Sequence, residues 1–424
     1  MEYSIEVGTI PLIICCFVFL LIIRSFCVLD NISDEIGIID RLVLLGLLAR
    51  IIWMFIVIFL SRYKYYFFVI DDETYFNYAM GKISEAKLYS MNIYCSLLRT
   101  LYDLFGKTSV NGRILNMFIS ISTAYPLATL EKRLKNNTGF PACRMIAYSP
   151  FMVFISFFEI KDIFVLFLFI CAYAILKRLQ ERMNIAQLIL FISICFLSEL
   201  FRKGAGAIPV MVLVISKVPF QGATKKQKYL IGTAGAVLAV VALGYVGQAY
   251  FSEQTNEVQK YQRWITSQFS KNSIYNSFMI RELKDIWKVP LCYFLYTLQP
   301  LSAFTGDHRF FADFGMIAKY SDVPVLLLSL IFLPGFIKKE KWNSLLFIIP
   351  YTFTSCINLT NARQGFFLYP IMYLIFFDRL ESINEEATNK PGKYIIAEDK
   401  SKPMNKVILA FYLIWLLFVL YRIR

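Results

Sequence analysis

Three carboxylates stand side by side at Asp71-Asp72-Glu73, directly after the apolar run Phe67-Phe68-Val69-Ile70. Adjacent carboxylates repel, and burial near lipid raises their proton affinity, so the cluster is costly unless something uses it. A carboxylate held in that position suits a general base acting on an acceptor hydroxyl. The same residues also suit a helix N-terminus, with Asp71 or Asp72 as the cap of a helix over 74–83 and Glu73 in its first turn. The two roles are compatible, because a capping turn fixes the carboxylate. A second charged group lies at Glu159-Ile160-Lys161-Asp162, between two apolar stretches, where Asp162 also fits a helix cap. A third is Glu199, Arg202 and Lys203 ahead of Gly204-Ala205-Gly206, and a fourth is Asn361-Ala362-Arg363-Gln364. Arginine suits a phosphate because its planar fork binds two oxygens at once. Snorkelling to a membrane boundary explains Lys203 and Arg363 equally well.

These groups are spaced by apolar blocks. The chain of 424 residues is 58% hydrophobic and only 17% charged, against about a quarter charged in soluble domains. Blocks such as 10–29 and 43–60 approach the ~20 residues that cross a bilayer as helix. Their apolar residues cover nearly all faces, which argues against membrane β-strands. Further blocks fall at 114–130, 144–158, 163–176, 186–200, 207–218, 229–246, 323–337, 345–359, 366–377 and 407–420. Pro290–Phe304 is apolar but interrupted by Pro300 and reads as re-entrant or interfacial. The expected fold is therefore an all-α polytopic membrane protein of about 12 transmembrane helices (11–13). Glu2 and Glu6 precede the first block instead of a basic region, so it is expected to be a retained helix.

The net charge of +14 is distributed in short clusters: Lys132/Arg133/Lys135, Lys177/Arg178/Arg182, Lys225/Lys226/Lys228 and Lys338/Lys339/Lys341. All four fall on one side of the scheme, as cytoplasmic connections do, provided that Pro290–Phe304 does not cross. That pattern points to a bilayer, and no nucleic-acid partner is expected. The opposite side then receives the N-terminus, the short turns at 159–162, 201–206 and 360–364, and two large loops, 61–113 and 247–322. Recognition or chemistry is expected on that elaborate side. Arg50 falls within the second span and needs a partner or a water-filled cavity there. The nine cysteines show no metal-type or disulfide spacing, and a single histidine, His308, excludes a multi-histidine site.

Asp72-Glu73-Thr74-Tyr75, followed by Tyr78 and Ala79, resembles the first outer loop of the GT-C superfamily of membrane glycosyltransferases, which includes the protein O-mannosyltransferases and the lipid A aminoarabinose transferase. The following span, beginning near Gly112-Arg113 and containing Asn116, is similar to theirs. So is Tyr148-Ser149-Pro150 followed by Lys161-Asp162. The resemblance covers roughly residues 42–205. It divides the chain into an extra N-terminal helix and connector (1–41), a GT-C-like module (42–218) and a variable module (219–424). The extra helix, Lys161 beside the aspartate, and the want of a large soluble C-terminal domain depart from the family.

The resemblance implies an inverting transferase at the outer face of a bacterial cytoplasmic membrane. Its donor would be a polyprenyl (di)phosphate-linked sugar and its acceptor a glycan, in surface-polysaccharide assembly, as repeat-unit polymerase or single-sugar transferase. Asp72, with Asp71 and Glu73 beside it, carries the base role. Lys161, Arg202, Lys203, Arg363 and Arg113 are the phosphate-binding candidates, and Asp162 orients Lys161 or the acceptor. No cofactor is required, although a divalent cation on the acidic cluster is compatible with the chemistry. The competing expectation is a transporter or flippase of lipid-linked sugars, which predicts ionisable residues at mid-membrane.

Overall fold

The computed structural model describes residues 6–30, 32–61, 70–82, 93–135, 139–202, 205–217, 321–340 and 368–388, with isolated positions at 288, 318, 320 and between 409 and 417. The described residues are helical and contain no β-strand. The expected blocks at 229–246, 290–304, 345–359 and most of 407–420 lie outside them, as do Lys203, Arg363, the side chain of Asp71 and nearly all of the loop 247–322.

The helices are α1 (Thr9–Leu29), α2 (Ile36–Ser61), α3 (Ile70–Ala79), α4 (Ile93–Phe105), α5 (Ser109–Ser122), α6 (Ala124–Lys135), α7 (Pro141–Tyr148), α8 (Pro150–Ser156), α9 (Asp162–Glu181), α10 (Ile185–Phe201), α11 (Ala207–Lys217), α12 (Val323–Glu340) and α13 (Tyr369–Thr388). Helix α9 sits at the centre, buried along nearly its whole length, and packs on α5, α6, α10 and α11. Burial on every side explains why its sequence is apolar on every face.

Two expected spans are broken. The block at 114–130 divides between α5 and α6 at Thr123. The block at 144–158 divides at Ser149, whose ψ of 127° leaves the helical region. Pro150 causes that break, since a residue before proline is pushed to extended backbone. Arg50 compensates for it. Its guanidinium donates to the carbonyls of Ile146 (2.9 Å) and Ala147 (2.9 Å), to Gly46 O (3.0 Å) and to Ser120 Oγ (3.2 Å). The partner sought for this intramembrane-type arginine is thus the carbonyl end of α7.

The chain runs back and forth between two ends. At one end Thr9 Oγ1 bonds Asn111 Oδ1 over 2.8 Å, and Asn111 Nδ2 donates to the carbonyls of Phe105 and Gly106. The starts of α1 and α5 and the end of α4 therefore lie together. Helices α3 and α4 pack on each other over this end. At the other end Asp30 receives Arg178 (2.8 Å) and Arg133, Arg133 also reaches Glu181, and Lys132 reaches Glu35 at 2.8 Å. Two basic clusters of the sequence, 132–135 and 177–182, converge there.

Among the described residues one helix, α1, has both the length and the apolar composition for crossing a membrane; α10 and the segment Val323–Phe336 are apolar but shorter. Apolar stripes nevertheless face outward along several helices: Ile10, Ile14, Phe17 and Leu21 on α1, Leu44, Leu48, Ile52 and Phe55 on α2, and Ile185, Ile189, Ile192 and Phe196 on α10.

Candidate functional site

The site is built where α3, α4 and α5 meet the turn between α8 and α9. That turn, 157–161, is clamped from two sides. Asn116 of α5 donates through Nδ2 to the carbonyls of Phe158 and Ile160, the latter at 3.1 Å. Asp72 of α3 accepts the backbone N–H of Glu159 on Oδ1 at 2.8 Å. Tyr94 of α4 donates to Asn116 Oδ1 at 3.2 Å, and its ring packs on Phe164 of α9 and Phe201 of α10. Helix α4 is amphipathic, and its buried face presents Tyr94, Leu98, Leu101 and Tyr102 to this junction.

At its centre Arg113 bridges two acids. Its Nη2 lies 2.6 Å from Asp72 Oδ2, and its Nη1 lies 3.2 Å from Glu159 Oε1. All three side chains are fully buried. The guanidinium also stacks on the Phe157 ring, 5.0 Å from its centroid. Tyr102 donates its hydroxyl to Glu159 Oε1 at 2.6 Å. Glu159 Oε2 is buried and makes no hydrogen bond. Gly112 lets the acid approach, because a Cβ there would meet Glu159 Oε1 at 2.7 Å and Tyr102 Oη at 2.8 Å.

The electrostatics follow from one cation shared by two carboxylates. Burial pushes the Glu159 carboxyl up to about 8; Arg113 opposes the rise, Asp72 adds to it, and the Tyr102 hydrogen bond opposes it. Tyr102 is raised well above the ordinary tyrosine value by burial and by Glu159, so it stays a donor. A neutral Glu159, an ionised Asp72 and a cationic Arg113 leave the buried triad uncharged, which is the arrangement with the least desolvation cost.

Several sequence expectations change here. Asp72 is not an N-cap: α3 begins at Ile70, and the Asp72 side chain reaches across to Arg113 and Glu159 instead. Arg113, a phosphate-binding candidate in the sequence, has its guanidinium against two buried acids and a ring in this arrangement. Asp162 is not the cap of α9 either; Lys161 holds that position, and Asp162 is the first helical residue. Asp162 faces Arg202 at 3.6 Å, a looser pair than the Arg113 contacts. Arg202 ends α10, with its side chain 20% exposed. Glu199 accepts Gly206 N–H at 3.1 Å and closes the turn into α11. Glu73 is exposed and Lys161 half-buried.

Asp72, Arg113, Asp162 and Arg202 are thus brought to one end of the bundle around a single turn. Sequence reasoning gave Tyr102 no part and Glu159 no role of its own. The adjacency of Gly112 to Arg113 was the one signal pointing to a close approach.

A carboxylate whose two oxygens accept a guanidinium and an amide is a weak base, whereas a buried acid with a free oxygen binds a proton tightly. Among the described residues no group of three or more His, Cys, Asp or Glu side chains is placed to hold a metal ion. No protein-family model matches the chain, and no curated protein matches it.

Proposed function

We propose that this chain is a membrane-embedded glycosyltransferase of GT-C type, taking a polyprenyl (di)phosphate-linked sugar at the extracytoplasmic face of a bacterial cytoplasmic membrane. The observation that carries the reading is the meeting of two acidic segments, Asp72 and Glu159–Asp162, that the sequence assigns to separate outer loops.

Bilayer embedding draws on three further features. The outward apolar stripes of α1, α2 and α10 exceed what water tolerates on a soluble surface. The 20-residue α9 spans about 30 Å at about 1.5 Å per residue, equal to the hydrocarbon thickness of about 30 Å. The acidic triad sits at its N-terminal end and the arginine-rich cluster at its C-terminal end, as cytoplasmic cations require. The proposal keeps about 12 spans (11–13), of which the described helices supply a part.

In the reaction, the acceptor hydroxyl attacks the anomeric carbon and its O–H proton passes to Asp72. The bond from that carbon to the lipid phosphate breaks, and its electron pair leaves with the phosphate. Arg202 and Lys161 meet the departing charge. Asp72 takes up this role when Arg113 turns from it toward Glu159. Repeat-unit polymerase and single-sugar transferase share this chemistry.

Purified protein incubated with a lipid-linked glycan, with products sized by mass spectrometry, tests the reading. A ladder identifies a polymerase and a single added sugar a transferase. Absence of any product across lipid-linked donors, with folded protein, rejects both. The transporter alternative draws on Asp322, which is fully buried and receives Ser149 (2.7 and 2.8 Å) and Tyr373 (2.9 Å) at the α7–α8 break. It predicts translocation of a labelled lipid-linked sugar across vesicles with no change in its mass.

A further inference from the structure

Glu159 is tied to the site by geometry and touches no reacting atom in the reaction as written, serving there only as the second partner of Arg113. It shares one guanidinium with Asp72, its Oε1 is doubly occupied, and its Oε2 is enclosed without a hydrogen-bond partner. An enclosed carboxylate oxygen with no donor is poorly tolerated, whereas a carboxylic acid carries its proton on that oxygen and leaves no net charge.

We propose that Glu159 is a proton-operated latch: with a proton on Oε2 it leaves Arg113 to Asp72 and holds α3 against the α8–α9 turn, and without that proton it competes for Arg113 and releases α3. The inference rests on the transferase reading only in treating this junction as the working site. Its test reads docking of α3 and needs no glycan.

The charged and titratable groups around Glu159 act together. Asp72 of α3 opposes its ionisation, as two anions on one cation must. Arg113 of α5 favours ionisation. Tyr102 of α4 favours it through its hydrogen bond, while Tyr94 of α4 is a second phenol in the same field. Asp162 of α9 and Arg202 of α10 form their own pair beyond the turn.

The sign of the effect follows from proton binding. Docked, Glu159 holds its proton up to about 8; undocked, it returns to an ordinary value of 4.5. The docked form therefore binds more protons between those values. Docking is strongest below the lower value, weakens as pH rises between them, and levels off above the upper one.

Hydrogen exchange on the full-length protein in lipid nanodiscs, corrected for intrinsic rates, measures this at pH 5 to 9.5. Protection of α3 amides is expected to fall by up to about tenfold per pH unit and then reach a plateau, while protection of α9 stays constant. Glu159→Gln, neutral at every pH, is expected to keep α3 protected throughout. Tyr102→Phe removes a hydrogen bond that favours the ionised acid, so its plateau is expected at higher pH. Protection of α3 that does not change with pH in the wild-type protein overturns the latch. So does the same fall in Glu159→Gln, or a Tyr102→Phe plateau at the same or lower pH. Loss of transfer activity without these changes counts against the reaction and leaves the latch standing.

Discussion

Glu159 donates its backbone N–H to Oδ1 of Asp72 over 2.8 Å, although 87 residues separate the two along the chain. That bond, together with the Arg113 bridge, joins the first acidic loop to the second. It makes the end of the bundle one structure, so that a change in either loop is felt in both.

Arg113 carries the charge balance of this junction. Arg113→Met is expected to strand the buried Asp72 carboxylate beside the neutral Glu159 and to cost about 3–5 kcal/mol, read as a lowered unfolding midpoint in detergent. Adding Asp72→Asn to Arg113→Met should recover part of that loss, because the stranded anion is then replaced by a neutral amide. A double variant as unstable as the sum of the singles contradicts the pairing.

Gly112 sets the spacing between α5 and Glu159. Gly112→Ala is expected to destabilise by about 1–3 kcal/mol, since its methyl would press on Glu159 Oε1 and Tyr102 Oη. Truncating the tyrosine with Tyr102→Phe should relieve part of the strain. Equal thermal midpoints for Gly112→Ala and wild type would show that the turn gives way freely.

Arg50 is expected to serve the fold. Arg50→Met removes the donors to the Ile146 and Ala147 carbonyls and should cost ~3 kcal/mol. Arg50→Lys should recover little of this, because an ammonium lacks the fork that spans two carbonyls. Full rescue by lysine in a denaturation series would argue for charge alone.

Asp30 gives the far end its own response to acid. Burial works against its ionised form, but the hydrogen bonds and charges of Arg178 and Arg133 outweigh it and hold the carboxyl below its ordinary 3.8. Its contribution is therefore complete above that value and disappears as pH falls through the depressed one. Unfolding midpoints of wild type and Asp30→Asn should differ at pH 6 and converge in stronger acid. A gap that persists in acid points to packing.

Sidedness is tested by single cysteines in a background from which all nine native cysteines, the exposed Cys15 among them, are replaced. Glu73→Cys, at the acidic end, is expected to react with an impermeant thiol reagent added outside cells. Met183→Cys, 50% exposed beyond α9, is expected to react only after the cells are opened. The reverse pattern would place the acidic site in the cytosol and end the transferase reading.

The sequence alone determined the helical class of the described residues, the shared sidedness of the 132–135 and 177–182 cations, and the prominence of Asp72 and the 159–162 turn. Those properties follow from composition and local periodicity, which neighbouring residues set by themselves. The tertiary structure decided who pairs with whom. Arg113 was a phosphate candidate because its type is all a sequence displays; the fold brought Asp72 of α3 and Glu159 of the 157–161 turn to it and made it the counter-ion of two buried acids. Tyr102 and the proton-holding character of Glu159 were invisible for the same reason: burial and shared charge arise only when distant segments close around one point.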